Sequence, residues 1–385
     1  MCREAKLTKH SIDRFFKSLG VPQLADYDEL IEHLESRYGD ERRAEIEEAF
    51  ESRADGDYDS FYDFIYSDTD VSIQLAGMRA NLYRTFFNWF ESNFSALAGR
   101  ILDVGCGNGI ATCYLAKQFP KARFVGIDKS PAAIRCATEL AQKAKVKNVE
   151  FQHSSFSEFS TKISDKFSMI VSLTGLSPDE IDFPVGDERE AWAEKVASQA
   201  MNSDVVSLVQ HLAPGGTFVS VDRCRTDTQK FAWLAALQNA GMTIDLLSSG
   251  EMTFTDLTGT ETLPIIVGAL GSTRMTSAEL LSFCMDDGVV FDRLSPGDRN
   301  LLSEFLFASF ANKQRVSGWR AAFYDGSGTC FYEIWRSGIF VLNYTHSTIG
   351  YRDLKIEPLY KLSLITNLID EQMELLHLSA EVSKL

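Results

Sequence analysis

The stretch Ile101-Leu102-Asp103-Val104-Gly105-Cys106-Gly107-Asn108-Gly109 decides how this chain is read. Ile101 to Val104 read as the end of a buried strand, because short, nearly continuous apolar runs mark parallel strands covered on both faces. Glycine at every second position then makes a turn, and Ile110, Cys113, Tyr114 and Leu115 begin an apolar helix. Such glycines admit backbone angles closed to other residues and remove side chains that would hold a ligand off the backbone. Strand, glycine turn and helix start together present N–H groups to a polar ligand.

The segment that follows narrows the ligand. The helix over 110–118 ends near Phe119-Pro120, and a second strand, Arg123 to Ile127, runs into Asp128. A carboxylate at that tip can accept hydrogen bonds from both hydroxyls of a ribose, which fits any adenosine-bearing cofactor. Together with Gly126-Ile127-Asp128-Lys129-Ser130, the glycine run resembles the class I S-adenosylmethionine (SAM)-dependent methyltransferases. Their first motif ends a strand with an acid and continues G-x-G-x-G. Dinucleotide folds favour G-x-G-x-x-G, with a third glycine where this chain has Ile110.

Later stations follow in the family's order. Asn148 to Phe156 lies where the third strand would deliver a polar residue to the adenine; the family usually has Asp there, and this chain has Ser155. Phe167 to Thr174 reads as the fourth strand and Pro214 to Val221 as the fifth. A helix from Thr228 to Asn239, a strand near 244–247 and a last strand over 263–267 complete the plan.

The resemblance implies an α/β fold: a seven-stranded, doubly wound, Rossmann-like sheet over residues 96–271. It further implies that Gly105, Cys106, Gly107 and Gly109 bring backbone close to SAM. Asp103 would hold the methionine ammonium, directly or through water, and Asp128 the ribose. Lys129 and Phe156 would flank the adenine, Ser155 would meet its amine, and Ser172 and Leu173 would face the methionine end. The same pocket is used elsewhere for other transfers, such as aminopropyl transfer, and methyl transfer is the reading preferred here.

Composition limits the setting. With 385 residues the chain should hold two or three domains, and 45% hydrophobic residues suffice for a proper core. No run of eighteen apolar residues exists, and the N-terminus lacks an apolar signal block, so no membrane association and a cytoplasmic location are expected. Seven cysteines are scattered without a C-x-x-C pair, and the six histidines are equally dispersed. Neither a disulfide framework nor a metal site is suggested. A formal net charge of −16 without a basic block argues against a phosphate backbone as partner. After the fourth strand, Leu173-Thr174-Gly175-Leu176 replaces the acid/amide-Pro-Pro-aromatic signature of enzymes that methylate planar amino nitrogens. Nucleic acid is therefore not the expected substrate.

Both flanks differ from this core. Residues 1–95 read as amphipathic helices, with apolar positions at helical spacing in Ile12, Phe15, Phe16 and Leu19 and in Leu82, Phe86, Trp89 and Phe90. By resemblance they form a helical cap over cofactor and substrate. Tyr58, Tyr62 and Tyr66 share one helical face with acids interleaved, which suits either a packing face or a cage for a cationic acceptor; Tyr58 and Tyr62 are candidate substrate contacts. Residues 272–385 read as an α+β module. Helices are expected at 277–284, 296–310 (after a Ser295 cap) and 359–378, with strands at 319–324, 329–335 and 338–344. Dimerisation, making a homodimer, is one role for this module; a lid or a docking platform are others.

Methyl transfer from an activated donor mostly asks the protein to align the acceptor. Thr174, Asp222 and Arg223, at the ends of the fourth and fifth strands, are the remaining candidate substrate residues. No catalytic base is identified: His153 lies near the adenine station and His211 reads as a helix-end residue. The acidic Ser177–Trp192 stretch reads as a loop that is either solvated or in contact with substrate. The preferred reading is methylation of N or O on a small-molecule metabolite. The alternative is a protein methyltransferase that docks a polypeptide on residues 272–385.

Overall fold

A parallel sheet grows outward from the glycine-run strand. In chain order its strands are β1 (Gly99–Val104), β2 (Ala122–Asp128), β3 (Val149–His153), β4 (Phe167–Leu173), β5 (Leu212–Val221), β6 (Met242–Ile244), β7 (Gly250–Asp256) and β8 (Gly259–Leu270). This is a computed structural model that describes residues 4–54, 57–162, 164–176, 203–224, 227–271 and 296–385. The spatial order is β3-β2-β1-β4-β5-β8-β6, with β7 paired to β8. β1 to β5 run parallel, in registers such as Asp103↔Gly126 and Val104↔Ser172, and β8 lies antiparallel to β5. Strand order reverses between β1 and β4, which opens a crevice at their carboxyl ends.

The doubly wound sheet expected from the resemblance is present, with one strand more. β7 and β8 form an antiparallel hairpin from Gly250↔Ile265 to Asp256↔Gly259. Met252, Phe254 and Asp256 are buried on one face of β7. β6 ends at Ile244, short of the stretch read from sequence, because Asp245 turns the chain: its carboxylate accepts the Leu247 amide (3.0 Å) and the Ser248 hydroxyl (2.8 Å). Leu247 is left 96% exposed.

Helices cover the sheet: α1 (Glu4–Leu19), α2 (Tyr27–Ala54), α3 (Tyr58–Ser67), α4 (Thr69–Leu75), α5 (Ala80–Asn93), α6 (Ile110–Gln118), α7 (Pro131–Ala144), α8 (Phe156–Lys162) and α9 (Ser203–Gln210). Ser130 caps α7 by accepting the Ala133 amide, and Pro131 fills the first helical position, where no N–H is needed. α1 and α5 share one core with α6. Phe15, Phe16, Phe86, Phe87 and Phe90 are all buried, and the Phe87 ring stacks 3.9 Å from Tyr114. The Tyr114 hydroxyl donates to Glu91 (2.5 Å), so that buried ring keeps a polar partner.

By internal contacts the chain divides into two compact units. One holds residues 1–177, 203–223 and 242–271; the other holds 178–202, 224–241 and 272–385. The N-terminal helices thus group with the sheet, whereas α10 (Asp227–Asn239) groups with the C-terminal residues. In that second unit, α10 sets Phe231 edge-on to Phe305 (5.0 Å) of α11 (Pro296–Ser309). β9 (Gln314–Phe323), β10 (Thr329–Ser337), β11 (Phe340–Ser347), β12 (Arg352–Pro358) and β13 (Ala380–Lys384) form an antiparallel sheet ordered β12-β11-β10-β9-β13. α12 (Leu362–Leu376) lays Ile365, Ile369 and Met373 against Ile334 and Val341, and Trp319 donates to Asp370 (2.9 Å). The sequence reading lacked β12 and β13. The helix at 277–284, the Ser295 cap and the loop over 177–192 lie outside the described residues.

Candidate functional site

The tip of β1 and the tip of β2 are joined by backbone. The amides of Gly105 and Cys106 donate to the Ile127 carbonyl (2.9 and 3.0 Å), and Gly109 donates back to Cys106 (2.9 Å). Gly105, Gly107 and Gly109 all hold positive φ, at 71°, 51° and 76°. Their surroundings differ. A Cβ on Gly105 would lie 2.6 Å from Gly175 Cα, and one on Gly109 would lie 2.8 Å from the Ala137 methyl, so both positions serve packing. At Gly107 the nearest atom to a Cβ would be the Tyr66 hydroxyl, at 2.8 Å. Gly105 and Gly107 both line a cavity, and Tyr66 belongs to the same lining.

That cavity measures about 70 Å³. Its floor is Asp103, Gly105, Cys106, Gly107, Asn108, Ala111, Leu173 and Thr174, and its roof is Tyr66, Leu82 and Tyr83 from the N-terminal helices. Three hydrogen bonds tie down the Tyr66 side of that roof, α3 and α4. Asn108 donates to Ser72 (3.0 Å), the Ser130 hydroxyl to Asp63 (3.0 Å) and the Thr69 hydroxyl to Glu139 (2.6 Å).

Two carboxylates flank the glycine loop. Asp128 accepts the Gly107 amide on one oxygen and the Ser130 amide on the other, each at 2.9 Å. Each oxygen keeps a further lone pair for a ligand hydroxyl. Asp103 is buried and accepts the Thr112 hydroxyl at 2.5 Å. Burial pushes its pKa up to about 7, with Asp128 and Asp222 adding to the rise and the Thr112 bond opposing it. Burial also raises Tyr83 to about 12, and pushes Tyr66 and the Cys106 thiol well above their ordinary values. Cys106 is thus a neutral thiol and no nucleophile.

At the end of β4, Thr174 adopts φ +58° while its amide donates to the Val221 carbonyl (2.8 Å). A β-branched residue in the left-handed region is strained, and neighbouring contacts must hold it there. Asp222 supplies them. It is fully buried and accepts the Ser172 hydroxyl (2.8 Å), the Ser220 hydroxyl (2.6 Å) and the Leu176 amide (2.9 Å). Burial raises its pKa, and these bonds oppose the rise.

The structure brings Asp103, Gly105, Cys106, Gly107, Leu173 and Thr174 to the cavity, with Asp128 bonded to its edge. Other candidates sit elsewhere. Asp222 was expected to face the acceptor but lies beneath the Thr174 turn, where its carboxylate accepts from Ser172, Ser220 and Leu176. Arg223 points to Glu261 (3.7 Å), an ion pair on the β8 side. The Ser172 hydroxyl belongs to the Asp222 network. Ser155 caps α8 by accepting the Glu158 amide (3.3 Å), and Phe156 is buried beside it. The Lys129 side chain is exposed, and its carbonyl lies 3.0 Å from His153 Nε2. His211 bridges the carbonyls of Asp165 and Ser160 (both 3.2 Å), a structural role. Tyr62 stacks on Tyr66 at 5.9 Å and backs it from outside the lining; the Tyr58 side chain is outside the described residues.

Tyr83, Asn108 and Ala111 were not singled out from sequence, Leu82 was read only as an apolar helix position, and Tyr66 was noted only as part of the tyrosine stripe. Asn108 sat within the motif, and the 82–90 apolar spacing marked the right helix but not which residue faced a ligand.

The donor set fits a cationic adenosine cofactor. It offers two carboxylates, a glycine backbone without side chains and two tyrosine rings, and the lining residues include no Lys, Arg or His. Among the described residues no group of three or more His, Cys, Asp and Glu could hold a metal ion.

Parts of the chain are similar to known proteins. A family described as "Methyltransferase domain" matches residues 97–255, and one described as "Protein-L-isoaspartate(D-aspartate) O-methyltransferase" matches residues 25–157. The release factor glutamine methyltransferase of Escherichia coli K12 is 32% identical over 117 residues, covering 29% of this chain and 40% of that protein. A tRNA (guanine-N(7)-)-methyltransferase of Rubrobacter xylanophilus is 42% identical over 50 residues, 13% of this chain and 22% of that protein. Among solved structures, magnesium protoporphyrin IX methyltransferase from Synechocystis PCC 6803 with bound SAM matches at TM-score 0.36 and 17% identity, over 54% of this chain and 88% of that one. The chain spans about 40% of the length of the first curated relative it matches.

Proposed function

We propose, on the premise that residues 97–255 are a class I SAM-dependent methyltransferase domain, that the chain transfers a methyl group to N or O of a small-molecule acceptor. One observation carries the choice of acceptor: the cavity at the glycine loop is roofed by the chain's own Tyr66, Leu82 and Tyr83. A side chain on a polypeptide needs an open groove, whereas a metabolite can be enclosed. The named relatives act on acceptors as different as a release factor and a tRNA, so likeness alone does not select one.

When bound, the cofactor supplies a methyl group already activated on a sulfonium. The protein's part is to hold and exclude. Asp103, ionised, holds the methionine ammonium, and Asp128 takes the ribose hydroxyls. The backbone at Gly105 and Gly107 lies close against the ligand. Tyr66, Leu82 and Tyr83 keep water from the methyl and confine the acceptor to a line of approach. Ligand pockets occupy roughly 300–1,000 Å³, so a cavity of about 70 Å³ would have to widen to take the cofactor. An acceptor amine arriving deprotonated needs no base. The five described free cysteines suit a reducing compartment.

The test is transfer of labelled methyl from SAM in a cell extract, separated into small-molecule and macromolecular fractions. Label in the small-molecule fraction is expected; label confined to protein would overturn the acceptor class while keeping the methyl transfer.

A further inference from the structure

Helix α5 carries Leu82 and Tyr83 in its first turn, yet its own sequence supplies no cap. Arg79 occupies the capping position (φ −112°, ψ 20°) and makes no side-chain cap bond. The first N–H groups of a helix have no partner within it, and a buried one left open is costly. Here the partner comes from far along the sequence. Asp256, at the tip of β7, accepts the Asn81 amide on one oxygen (2.9 Å) and the Leu82 amide on the other (3.3 Å).

Neighbouring contacts tie the same two elements together. The Asn81 side-chain amide donates to the Thr255 carbonyl (2.6 Å). Arg79 reaches both Asp256 (3.8 Å) and Glu261 (2.9 Å), and its guanidinium lies 5.4 Å from the centre of the Phe254 ring. The Asp256 side chain is 2% exposed. A carboxylate so deeply buried is retained only where its bonds matter, since apolar packing alone would be better served by a hydrocarbon.

We propose that Asp256 is a positioning residue: from β7, the strand added to the seven-strand plan, it fixes the first turn of α5 and thereby sets Leu82 and Tyr83 in the cavity wall. The proposal rests on the methyltransferase reading above. It makes the β7–β8 hairpin part of the apparatus that shapes the site, although Asp256 itself touches neither cofactor nor acceptor.

A double-mutant cycle on SAM affinity, read by calorimetry without any acceptor, tests it. Asp256→Ala and Tyr83→Ala should each weaken binding about tenfold, and the double variant should lose no more than about twofold beyond Tyr83→Ala, because the first acts through the second. Additive losses, or an Asp256→Ala protein that binds like the wild type, would overturn the proposal. Should Asp256→Ala fail to fold, Asp256→Asn, which keeps the shape and one accepting oxygen, completes the same cycle with the same criterion. A wild type that binds no SAM would remove the methyltransferase reading and this proposal with it. Wild-type binding with additive losses removes this proposal alone.

Discussion

Substituting Gly107 by Ala perturbs the site at the cavity-lining glycine whose added Cβ would meet a side chain of the cavity wall and not backbone. Its φ of +51° would place an alanine in the left-handed region, at a strain of about 1–2 kcal/mol. The added Cβ would lie 2.8 Å from the Tyr66 hydroxyl, the far end of a side chain that can turn away. The fold should therefore lose little beyond that strain. At roughly 2–4 °C per kcal/mol for a domain of this size, Tm should fall by about 2–8 °C. Binding should suffer more, because the methyl sits where the cofactor meets the backbone, and a loss of about 2 kcal/mol or more corresponds to over tenfold in Kd. Gly105→Ala makes the contrast: its Cβ would meet Gly175 Cα at 2.6 Å, backbone against backbone, so the turns after β1 and β4 must part. It should cost stability first. Thermal unfolding and SAM calorimetry on both variants check this. A Gly107→Ala protein that binds SAM normally, or that is as destabilised as Gly105→Ala, would refute the division of roles.

Further outcomes follow from the same contacts. Asp103 has a native pKa of about 7, above its ordinary 3.8. Its contribution to stability is therefore fully present below the lower value and lost as pH rises through the upper one. Ligand binding runs the other way, since only the ionised form pairs with an ammonium. SAM affinity should fall about tenfold per pH unit below 7, and Asp103→Asn should flatten that profile; a wild-type profile already flat from pH 5 to 8 would contradict the pairing. Asp222→Ala strands the Ser172, Ser220 and Leu176 donors and should destabilise by roughly 3–5 kcal/mol in denaturant unfolding; a loss under about 1 kcal/mol would show that Thr174 is held otherwise. Truncation after Gly271 strips Phe305 from Phe231 on α10, and should yield a protein that binds an apolar dye and unfolds earlier, even with its glycine loop complete. A truncated chain as stable as the full one would show that α10 does not depend on residues 272–385.

Much of the sheet was legible because its parallel strands are short apolar runs, each ended by a residue of distinct chemistry: Asp103 with its glycines, Asp128, then Thr174-Gly175. β7 alternates as Met252, Phe254 and Asp256 on one face, a readable pattern, but it fell outside the plan used to parse the segment. β12 and β13 are too polar to declare themselves, and they exist through pairing with β11 and β9. Side-chain direction was harder still. Sequence placed Asp222 at the right strand end, but whether a carboxylate faces a crevice or caps a turn depends on which donors surround it. Leu82 read as one more apolar helix position and Tyr83 beside it was not named, because the roof they form is set by Asp256, far away in the sequence.

The measurement nearest to the centre of the account is calorimetric titration of SAM into the wild-type protein and into Asp128→Ala, whose carboxylate is placed to reach a ribose while holding the Gly107 amide. Saturable binding of one SAM per chain is predicted, weakened at least about a hundredfold in the variant while the variant remains folded. Equal affinity in the two would contradict the assignment of the ribose to Asp128, and absence of any binding to the wild type would contradict the account as a whole.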